Sequence, residues 1–386
     1  MNILVFAPFY PPHIGGVESF SRDLHKELGK NGVEITVFTP HLPEKTSALE
    51  KYAEAHTIRF PAWEIVSNYP VPKYFPFFWT RDFWQSFRSL WKIHPDVVIS
   101  HTRFFNTSLL ALMYAKIRKI PLLHIEHGSS FVQSGNLLIN TFARMYDKTL
   151  GKLVLKNANK VIAISEEAKS FIEKLCPNIH CHVIHRGFDT STINLIAEDL
   201  KNPKKQNIVR LLYTGRLVPG KGVHILFEAL KNVQEKNWEL FIIGDGPERV
   251  SLERLAEDFP RNTVQFFGEK NWEEGISLLK TADIFINPSF TEGLPTTLAE
   301  AALCGKASIA TDAGGTKELF TEASKHLLIP IHNPIILAEK ISQLIQNPSQ
   351  RDIIGKNLKH HIEKEFSWDA STEKFLEIFK ELKNQK

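Results

Sequence analysis

The chain has 386 residues, of which 43% are hydrophobic and 23% are charged, and its formal net charge is +4. This composition excludes a disordered chain, and the length predicts two domains that each have a core. Because the charge is mild and no base-reading motif is present, we do not expect a nucleic-acid-binding protein.

The charge is distributed unevenly between the two halves of the chain. Residues 1–190 contain 22 lysines and arginines against 16 acids, whereas the remainder contains 25 against 27. The first half is therefore the basic half. An anionic partner or a membrane surface is expected there.

The N-terminus and the cysteines indicate the compartment. The first residues, MNILVFAPFYPP, lack a basic leader and a cleavage site, so they predict a strand rather than a signal peptide. No apolar run approaches the length of a membrane span. Cys176, Cys181 and Cys304 show no Cys-x-x-Cys spacing and predict neither zinc nor disulfides. We expect a cytoplasmic protein, either soluble or peripheral to the inner face of the membrane.

Short apolar runs recur along the chain with helix-length segments between them. Continuous runs of this kind are typical of strands buried on both faces of a parallel sheet. They lie at 3–8, 35–40, 96–101, 122–127 and 160–165, and again at 210–215, 238–246, 263–268, 284–289 and 307–312. The alternation predicts an α/β protein with two doubly wound, Rossmann-like domains, whose ligands bind at the carboxyl ends of the strands.

The predicted domain boundaries follow from composition. The first domain spans 1–190 and the second spans 207–365, with a polar linker at 191–206 and a terminal amphipathic helix within 366–386. Residues 60–92 are dense in aromatics, prolines and cations. That stretch fits a flap over a substrate, a segment at the membrane interface, or a loop and helix packed on the first sheet.

Two segments of the second domain follow predicted strands. GRLVPGKG (215–222) begins with Gly215 and carries Arg216 and Lys221 across a Pro-Gly turn. Arginine binds a diphosphate bidentately and lysine binds it as a point charge, although solvated surface cations are the alternative. In GDGPER (244–249), the glycines permit close backbone approach and Pro247 is placed to begin a helix. Asp245 and Gly246 are therefore candidate binding residues, and a simple strand-to-helix turn is the alternative.

The stretch TEGLPTTLAEA (291–301) predicts a phosphate site at the start of a helix. With Pro295 as the first helical residue, the next three N–H groups have no partner within the helix. Those groups belong to Thr296, Thr297 and Leu298. Glu300 then reaches a ribose diol, and Glu292 faces a sugar beyond the phosphates. Capping of the helix dipole by the acids is the alternative.

Taken together, these motifs resemble glycosyltransferase family 4. The segments that carry the resemblance are PPHIGGVE (11–18), GRLVPGKG, GDGPER, EGLPTTLAEA (292–301) and TDAGGTKEL (311–319). The two glutamates with seven residues between them are the signature of that family. The resemblance covers nearly the whole chain and is weakest over 40–95. It implies a GT-B fold with two domains facing a central cleft, and a C-terminal helix that returns to the N-terminal domain.

The resemblance also implies roles for individual residues. The residues matching Arg216 and Lys221 bind the donor diphosphate, the one matching Glu300 binds ribose, and the one matching Glu292 binds the donor sugar. The loop of Gly15 and Gly16 abuts the phosphates and the acceptor. His127, at the end of a predicted strand, resembles the histidine beside the donor sugar, and a histidine at the edge of the core is the alternative. The N-terminal domain is then the acceptor domain and the C-terminal domain binds the nucleotide-sugar.

The expected activity is retaining transfer of a hexose or N-acetylhexosamine to a glycan or lipid-linked acceptor in cell-surface polysaccharide synthesis. The resemblance implies no bound metal and no cofactor, and it favours a UDP-sugar over a GDP-sugar. A nucleotide-sugar epimerase of the same fold and a non-catalytic nucleotide-sugar-binding protein remain alternatives. A dinucleotide dehydrogenase is disfavoured because the first strand is followed by PFYPPHIGG rather than by the glycine fingerprint.

Overall fold

The chain forms two compact units. A computed structural model describes residues 1–13, 15–42, 47–52, 54–66, 69–72, 81–132, 137–199, 201–203 and 205–384. The N-terminal unit comprises Met1–Gly187 with Trp368–Lys386, and the C-terminal unit comprises Phe188–Ser367.

The secondary structure alternates between strands and helices in both units. The strands are β1 (Asn2–Phe6), β2 (Glu34–Pro40), β3 (Leu49–Tyr52), β4 (Ala55–Phe60), β5 (Ala62–Val66), β6 (Tyr69–Pro72), β7 (Val97–His101), β8 (Leu122–Glu126), β9 (Lys160–Ala163), β10 (Cys181–Val183), β11 (Val209–Thr214), β12 (Trp238–Ile243), β13 (Val264–Phe266), β14 (Ile284–Asn287), β15 (Ala307–Thr311) and β16 (Leu328–Ile329). The helices are α1 (Gly16–Lys30), α2 (Arg81–Ser89), α3 (Asn106–Arg118), α4 (Leu137–Tyr146), α5 (Lys152–Asn157), α6 (Glu166–Leu175), α7 (Thr190–Leu195), α8 (Val223–Leu230), α9 (Arg249–Ala256), α10 (Trp272–Lys280), α11 (Thr296–Leu303), α12 (Pro334–Gln346), α13 (Pro348–Glu365) and α14 (Trp368–Asn384). Among the helices described, none is both long and apolar enough to span a bilayer.

The sheet of the N-terminal unit has the strand order β10-β9-β8-β7-β1-β2-β4-β3. Its strands are parallel except at the edge, where β3 runs antiparallel to β4. Because β1 pairs with both β2 and β7, the order of the strands reverses at β1. The carboxyl ends of β1 and β7 therefore form the topological switch point, where ligands of such sheets bind.

The sheet of the C-terminal unit repeats this plan with the order β13-β12-β11-β14-β15-β16, and every recorded pairing is parallel. Here β11 lies between β12 and β14 and marks the switch point. The strands are buried along most of their length, in keeping with the continuous apolar runs that predicted them. The two-domain α/β prediction is confirmed.

Helix α14 completes the N-terminal unit, although it is last in the chain. Trp368 and Phe375 pack around Phe20 of α1, with ring centroids 5.9 and 6.4 Å apart. Lys383 Nζ lies 3.1 Å from Asp96 Oδ1, which ties the end of α14 to the start of β7. The return of the terminal helix to the first unit is as the resemblance implied.

The linker prediction for 191–206 is wrong for its first residues, because α7 occupies 190–195. The side chain of Asp189 accepts a hydrogen bond from the Thr192 N–H at 3.0 Å, and Ile193 is buried. An N-cap followed by a buried apolar residue nucleates a helix even in a polar stretch. This segment belongs to the C-terminal unit.

The aromatic stretch at 60–92 is described only in part, because 67–68 and 73–80 lie outside the described residues. Within α2, Phe83 and Phe87 are buried in the core cluster of the N-terminal unit, as is the following Leu90. For residues 81–90 the interpretation as a helix packed on the sheet is therefore the correct one. These three side chains are not available to a membrane or an acceptor.

Candidate active site

Two loops at the switch point of the C-terminal unit are joined by backbone hydrogen bonds. The loop after β11 donates from Gly215 N–H to Ile243 O at 3.0 Å, and from Leu217 N–H to Asp245 O at 2.9 Å. In return, Glu248 N–H donates to Leu217 O at 3.0 Å. The segment that carries Arg216 is thus fixed to the segment that carries Asp245.

This contact requires glycine at two positions. A Cβ added at Gly244 would lie 2.0 Å from Gly215 O, and one added at Gly246 would lie 2.4 Å from Leu217 O. Both residues also have positive φ, 128° and 158°. These two glycines therefore allow the loop after β12 to approach the backbone of the loop after β11.

The third loop, after β14, is joined to the loop after β11 by its backbone and by an ion pair. Phe290 N–H donates to Gly220 O at 2.9 Å. Lys221 Nζ lies 2.6 Å from Glu292 Oε1, with side chains 25% and 11% exposed. The structure therefore brings two of the predicted site residues into direct contact, although 71 residues separate them in the chain.

Arg216 lies at the surface, in the loop after β11. Its carbonyl oxygen accepts a hydrogen bond from the Tyr213 hydroxyl at 3.0 Å, and burial raises the pKa of that hydroxyl. The guanidinium group is exposed, and within the described part of the chain no acid forms an ion pair with it. A fixed backbone below a solvent-facing cation suits the binding of an external anion.

Helix α11 starts at the same edge of the sheet. Pro295 is its N-cap, with φ −73° and ψ 103°, so the prediction that it is the first helical residue is wrong by one position. Its carbonyl oxygen accepts from Ala299 N–H at 3.3 Å. The N–H groups of Thr296, Thr297 and Leu298 precede that bond, and among the residues described none accepts from them. These amides remain suited to an anion.

Glu300 of α11 has a partner that the sequence did not reveal. Trp272 donates from Nε1 to Glu300 Oε1 at 3.0 Å, and its side chain is 37% exposed. Trp272 is the first residue of α10, which is held by a capping box between Asn271 and Glu274. The Asn-Trp-Glu-Glu sequence signals that helix start, but nothing local pairs the indole with Glu300.

Asp245 has a local structural role in addition to any binding role. Its carboxylate accepts from Gly246 N–H at 2.7 Å and from Arg249 Nη1 at 2.9 Å, and these bonds lower the pKa of the carboxyl group. Helix α9 begins at Arg249, so Pro247 does not begin a helix as predicted. Asp245 braces the turn between β12 and α9.

His127 of the N-terminal unit directly follows β8 and contacts a second histidine. His101 Nδ1, at the end of β7, lies 3.0 Å from His127 Nε2, so one ring donates and the other accepts. Burial lowers the pKa of His127 to about 4 and holds the pKa of His101 well below its ordinary value. Both rings are therefore neutral near pH 7. His101 was not predicted as a site residue, although it ends an adjacent predicted strand.

The loop of His127 is held by a buried acid. Glu126 accepts from His127 N–H at 3.1 Å and from Gly128 N–H at 2.8 Å. Burial alone would raise the pKa of Glu126, but Arg103, 3.0 Å away, holds it well below its ordinary value. Arg103 also lies 3.1 Å from Asp147, whose pKa burial raises to about 6. This network positions the histidine through its backbone.

Gly15 and Gly16 lie at the start of α1, beside the carboxyl end of β1. A Cβ added at Gly15 would lie 2.4 Å from Glu18 Oε2, whereas one added at Gly16 would meet open space. Glu18 is 5% exposed and hydrogen-bonds to His13 Nδ1. An acid of this chain thus lies against Gly15, and the predicted contact of the glycines with phosphates stays a prediction.

Comparison with known families identifies the class. The model of glycosyltransferase family 4 matches residues 14–192, and that of glycosyl transferases group 1 matches residues 193–361. An uncharacterized glycosyltransferase of Methanocaldococcus jannaschii is 34% identical over 394 residues, covering 100% of this chain and 99% of that one. The protein belongs to the family 4 glycosyltransferases of group 1, as its motifs indicated.

Two further relatives carry names that state a biosynthetic pathway or an activity. A putative teichuronic acid biosynthesis glycosyltransferase of Bacillus subtilis is 25% identical over 95% of each chain. An N,N'-diacetylbacillosaminyl-diphospho-undecaprenol alpha-1,3-N-acetylgalactosaminyltransferase of Campylobacter jejuni is 28% identical, covering 73% of this chain and 76% of that one. The similar proteins thus include enzymes of polysaccharide and glycolipid synthesis.

Solved structures agree on the fold. Sucrose-phosphate synthase of Thermosynechococcus elongatus matches with a TM-score of 0.82 at 20% identity, over 100% of this chain and 99% of that one. HepE of Anabaena in complex with UDP and glucose matches with a TM-score of 0.76 at 19% identity, over 99% and 100% of the two chains. The fold is GT-B.

Proposed function

We propose that the protein is a retaining glycosyltransferase that moves a hexose or N-acetylhexosamine from a nucleotide-diphosphate-sugar to a glycan or lipid-linked acceptor. The observation that carries this proposal is the joining of three loops at the switch point of the C-terminal unit. Hydrogen bonds and the 2.6 Å ion pair of Lys221 with Glu292 hold cations and acids in one place. Such a rigid arrangement is what stabilisation of a charged leaving group needs.

In this proposal the diphosphate of the donor binds to Arg216, Lys221 and the first amides of α11. Arg216 supplies two parallel N–H groups, Lys221 supplies a point charge, and the amides supply the positive end of a helix dipole. Because these groups neutralise the phosphates, the proposal assigns no role to a metal or other cofactor. Asp245 and Gly246, next to Gly215, shape the floor of the site.

Two acids would bind the hydroxyls of the two sugars that flank the diphosphate. Glu300, oriented by Trp272, accepts hydrogen bonds from the ribose hydroxyls. Glu292, oriented by Lys221, accepts them from the donor sugar. The base is proposed to be uracil, a choice supported by the UDP and glucose found with HepE.

The proposed reaction needs no nucleophile from the protein. The bond between the anomeric carbon and the diphosphate oxygen breaks, and its electron pair stays on that oxygen. The acceptor hydroxyl attacks the same face of the sugar and gives its proton to the departing phosphate oxygen, so the anomeric configuration is retained. His127, neutral near pH 7, is proposed as a hydrogen-bonding contact of the donor sugar rather than as a cation.

The acceptor class is supported by the relatives. The Campylobacter enzyme is named for an undecaprenol-linked acceptor and the Bacillus protein for teichuronic acid biosynthesis. These names support our proposal that the activity belongs to the synthesis of cell-surface polysaccharide. We further propose that it takes place on the cytoplasmic side of the membrane. The N-terminal unit, with its basic composition, is proposed to bind the acceptor.

The experiment is a donor screen. The protein is incubated with UDP-glucose, UDP-galactose, UDP-N-acetylglucosamine or GDP-mannose, with and without lipid extracts, and released nucleotide diphosphate is measured. We expect slow release of nucleotide diphosphate from one donor alone and faster release when an acceptor is present. NMR of the product should show that the anomeric configuration of the donor sugar is retained. Release of none of the nucleotides under either condition would overturn the proposal. Conversion of a donor to its epimer without release would favour the epimerase.

A further inference from the structure

Large apolar side chains are exposed along one short part of the N-terminal unit. Of the sixteen such side chains among the described residues, six lie between residues 137 and 153. We call these six the apolar face: Leu137, Leu138, Phe142, Met145, Leu150 and Leu153. Single exposed apolar residues are ordinary, but a concentration in one segment marks an interaction surface.

The face follows the period of helix α4. Leu138, Phe142 and Met145 recur at i, i+4 and i+7 and are 79%, 58% and 58% exposed, whereas Ala143 and Tyr146 are buried. A surface helix normally turns its apolar stripe to the core and its polar stripe outward. Helix α4 instead has apolar side chains on both sides, so the core of the N-terminal unit does not account for the outer stripe.

Every exposed charged residue within the segment 137–157 is basic. Residues 137–157 contain Arg144, Lys148, Lys152 and Lys156. Their one acid, Asp147, is fully buried and paired with Arg103 at 3.1 Å. This segment therefore combines exposed apolar side chains with exposed positive charge.

Helix α3 lies beside this segment and has the same character. Val154 of α5 shares a core cluster with the buried residues of α3, and the Tyr146 hydroxyl donates to Asn106 Oδ1 at 3.4 Å. The last turns of α3 expose Met113 and Ile117 at 37% and 58%. The charged residues of α3 and its C-cap, which are Lys116, Arg118 and Lys119, are again all basic.

We propose that the apolar face is a docking surface for an anionic phospholipid bilayer. The apolar side chains enter the boundary between headgroups and acyl chains, and the surrounding lysines and arginines bind the lipid phosphates. A second copy of the chain fits less well, because a two-fold interface would place this basic surface against itself. The proposal goes beyond the proposed transferase activity and rests on the surface alone.

The test measures binding of the full-length protein to vesicles by co-sedimentation, without donor or acceptor. Vesicles of phosphatidylcholine mixed with phosphatidylglycerol are compared with vesicles of phosphatidylcholine alone, at low and high salt. The apolar variant is Leu138→Ser, Phe142→Ser and Met145→Ser, and the charge variant is Lys148→Glu with Lys156→Glu. The matched control is Leu195→Ser, Ile335→Ser and Ile353→Ser, three sites of the C-terminal unit that are 86%, 73% and 60% exposed. Thermal melting checks that each variant folds.

We expect the wild-type protein to bind the anionic vesicles in a salt-sensitive way and to bind the neutral vesicles far less. The apolar and the charge variants should each lose about tenfold in bound fraction at limiting lipid, and the control should stay within about twofold of wild type. Equal binding of wild type and apolar variant, or absence of binding to anionic vesicles, would overturn the proposal. A wild-type dimer that the apolar variant dissociates, without vesicle binding, would assign the face to a second copy. Because no substrate is present, these outcomes are independent of the donor screen.

Discussion

Lys221 Nζ and Glu292 Oε1 lie 2.6 Å apart, so the cation proposed to bind a phosphate and the acid proposed to bind the sugar hold each other in place. One ion pair thereby connects the loops after β11 and β14. Because both side chains are partly accessible to solvent, the pair should contribute little to stability, on the order of 1 kcal/mol or less. Its main consequence is the position of both groups.

Lys221→Ala should therefore lower turnover far more than stability. We expect kcat to fall by about 10²–10³, as for the loss of one preorganised donor to a developing anion, with a small change in Tm. The control is Lys231→Ala, which removes a lysine paired with Asp258 at 2.7 Å at the far end of α8. Similar kcat values for the two variants would show that Lys221 does not act on the leaving group.

Arg216 should require the geometry of arginine as well as its charge. Arg216→Lys keeps the charge but loses the planar pair of N–H groups, so we expect its kcat/KM to fall between those of wild type and Arg216→Ala. Arg261→Ala, at an exposed arginine before β13, is the control. If the kcat/KM of Arg216→Lys equalled that of wild type, a bidentate contact of Arg216 with the diphosphate would be ruled out.

Trp272 should act through Glu300. Trp272→Phe removes the 3.0 Å hydrogen bond but keeps an aromatic ring, so we expect KM for the donor to rise several-fold while kcat changes little. With a 2'-deoxyribose donor, the KM values of wild type and variant should become similar, because that donor already lacks one of the hydroxyls that Glu300 is proposed to bind. If the variant raised KM by the same factor with the deoxy donor, Trp272 would not act through the contact of Glu300 with the ribose.

His25 should make the N-terminal unit less stable in acid. Its ring is buried, hydrogen-bonded to the Tyr10 hydroxyl at 3.0 Å, and burial lowers its pKa to about 3. Below the ordinary histidine pKa of about 6.5 the unfolded chain binds a proton that the folded state excludes. The contribution of neutral His25 to the free energy of unfolding is therefore fully present above pH 6.5 and is lost as the pH falls toward 3. At about pH 5 the free energy of unfolding should already be lower by about 2 kcal/mol.

The corresponding measurement compares wild type and His25→Gln by urea unfolding across that pH range. We expect the variant to be less stable at neutral pH and the difference to shrink on acidification, because glutamine does not titrate. A difference between the two proteins that stayed constant with pH would exclude His25 as the source.

Much of the fold could be predicted because the relevant signals are local. Continuous apolar runs mark strands buried on both faces, and they located the strands nearest each switch point. The strands β3, β4, β10 and β16 and the hairpin of β5 and β6 were missed, since these segments are very short or lack a continuous apolar run. The helix within the predicted linker was missed because its signal is a single cap and one buried apolar residue.

For the candidate site, residue types were easier to predict than partners. Arg216, Lys221 and Glu292 follow strands, and loops after parallel strands share one edge of a sheet. The contacts of Trp272 with Glu300 and of His101 with His127 join elements that are distant in the chain, so no local pattern encodes them. The glycines of GDGPER illustrate the converse: the predicted close approach exists, but it is to the neighbouring loop.

The central claim is that the switch point of the C-terminal unit binds a nucleotide diphosphate through Arg216 and Lys221. The most direct test is calorimetric titration of UDP, with GDP in parallel, into wild type and the Arg216→Ala, Lys221→Ala and Arg261→Ala variants. The account predicts that one nucleotide binds wild type and Arg261→Ala equally, and that each of the other variants weakens Kd by about tenfold or more. Equal affinity in all four proteins would contradict it.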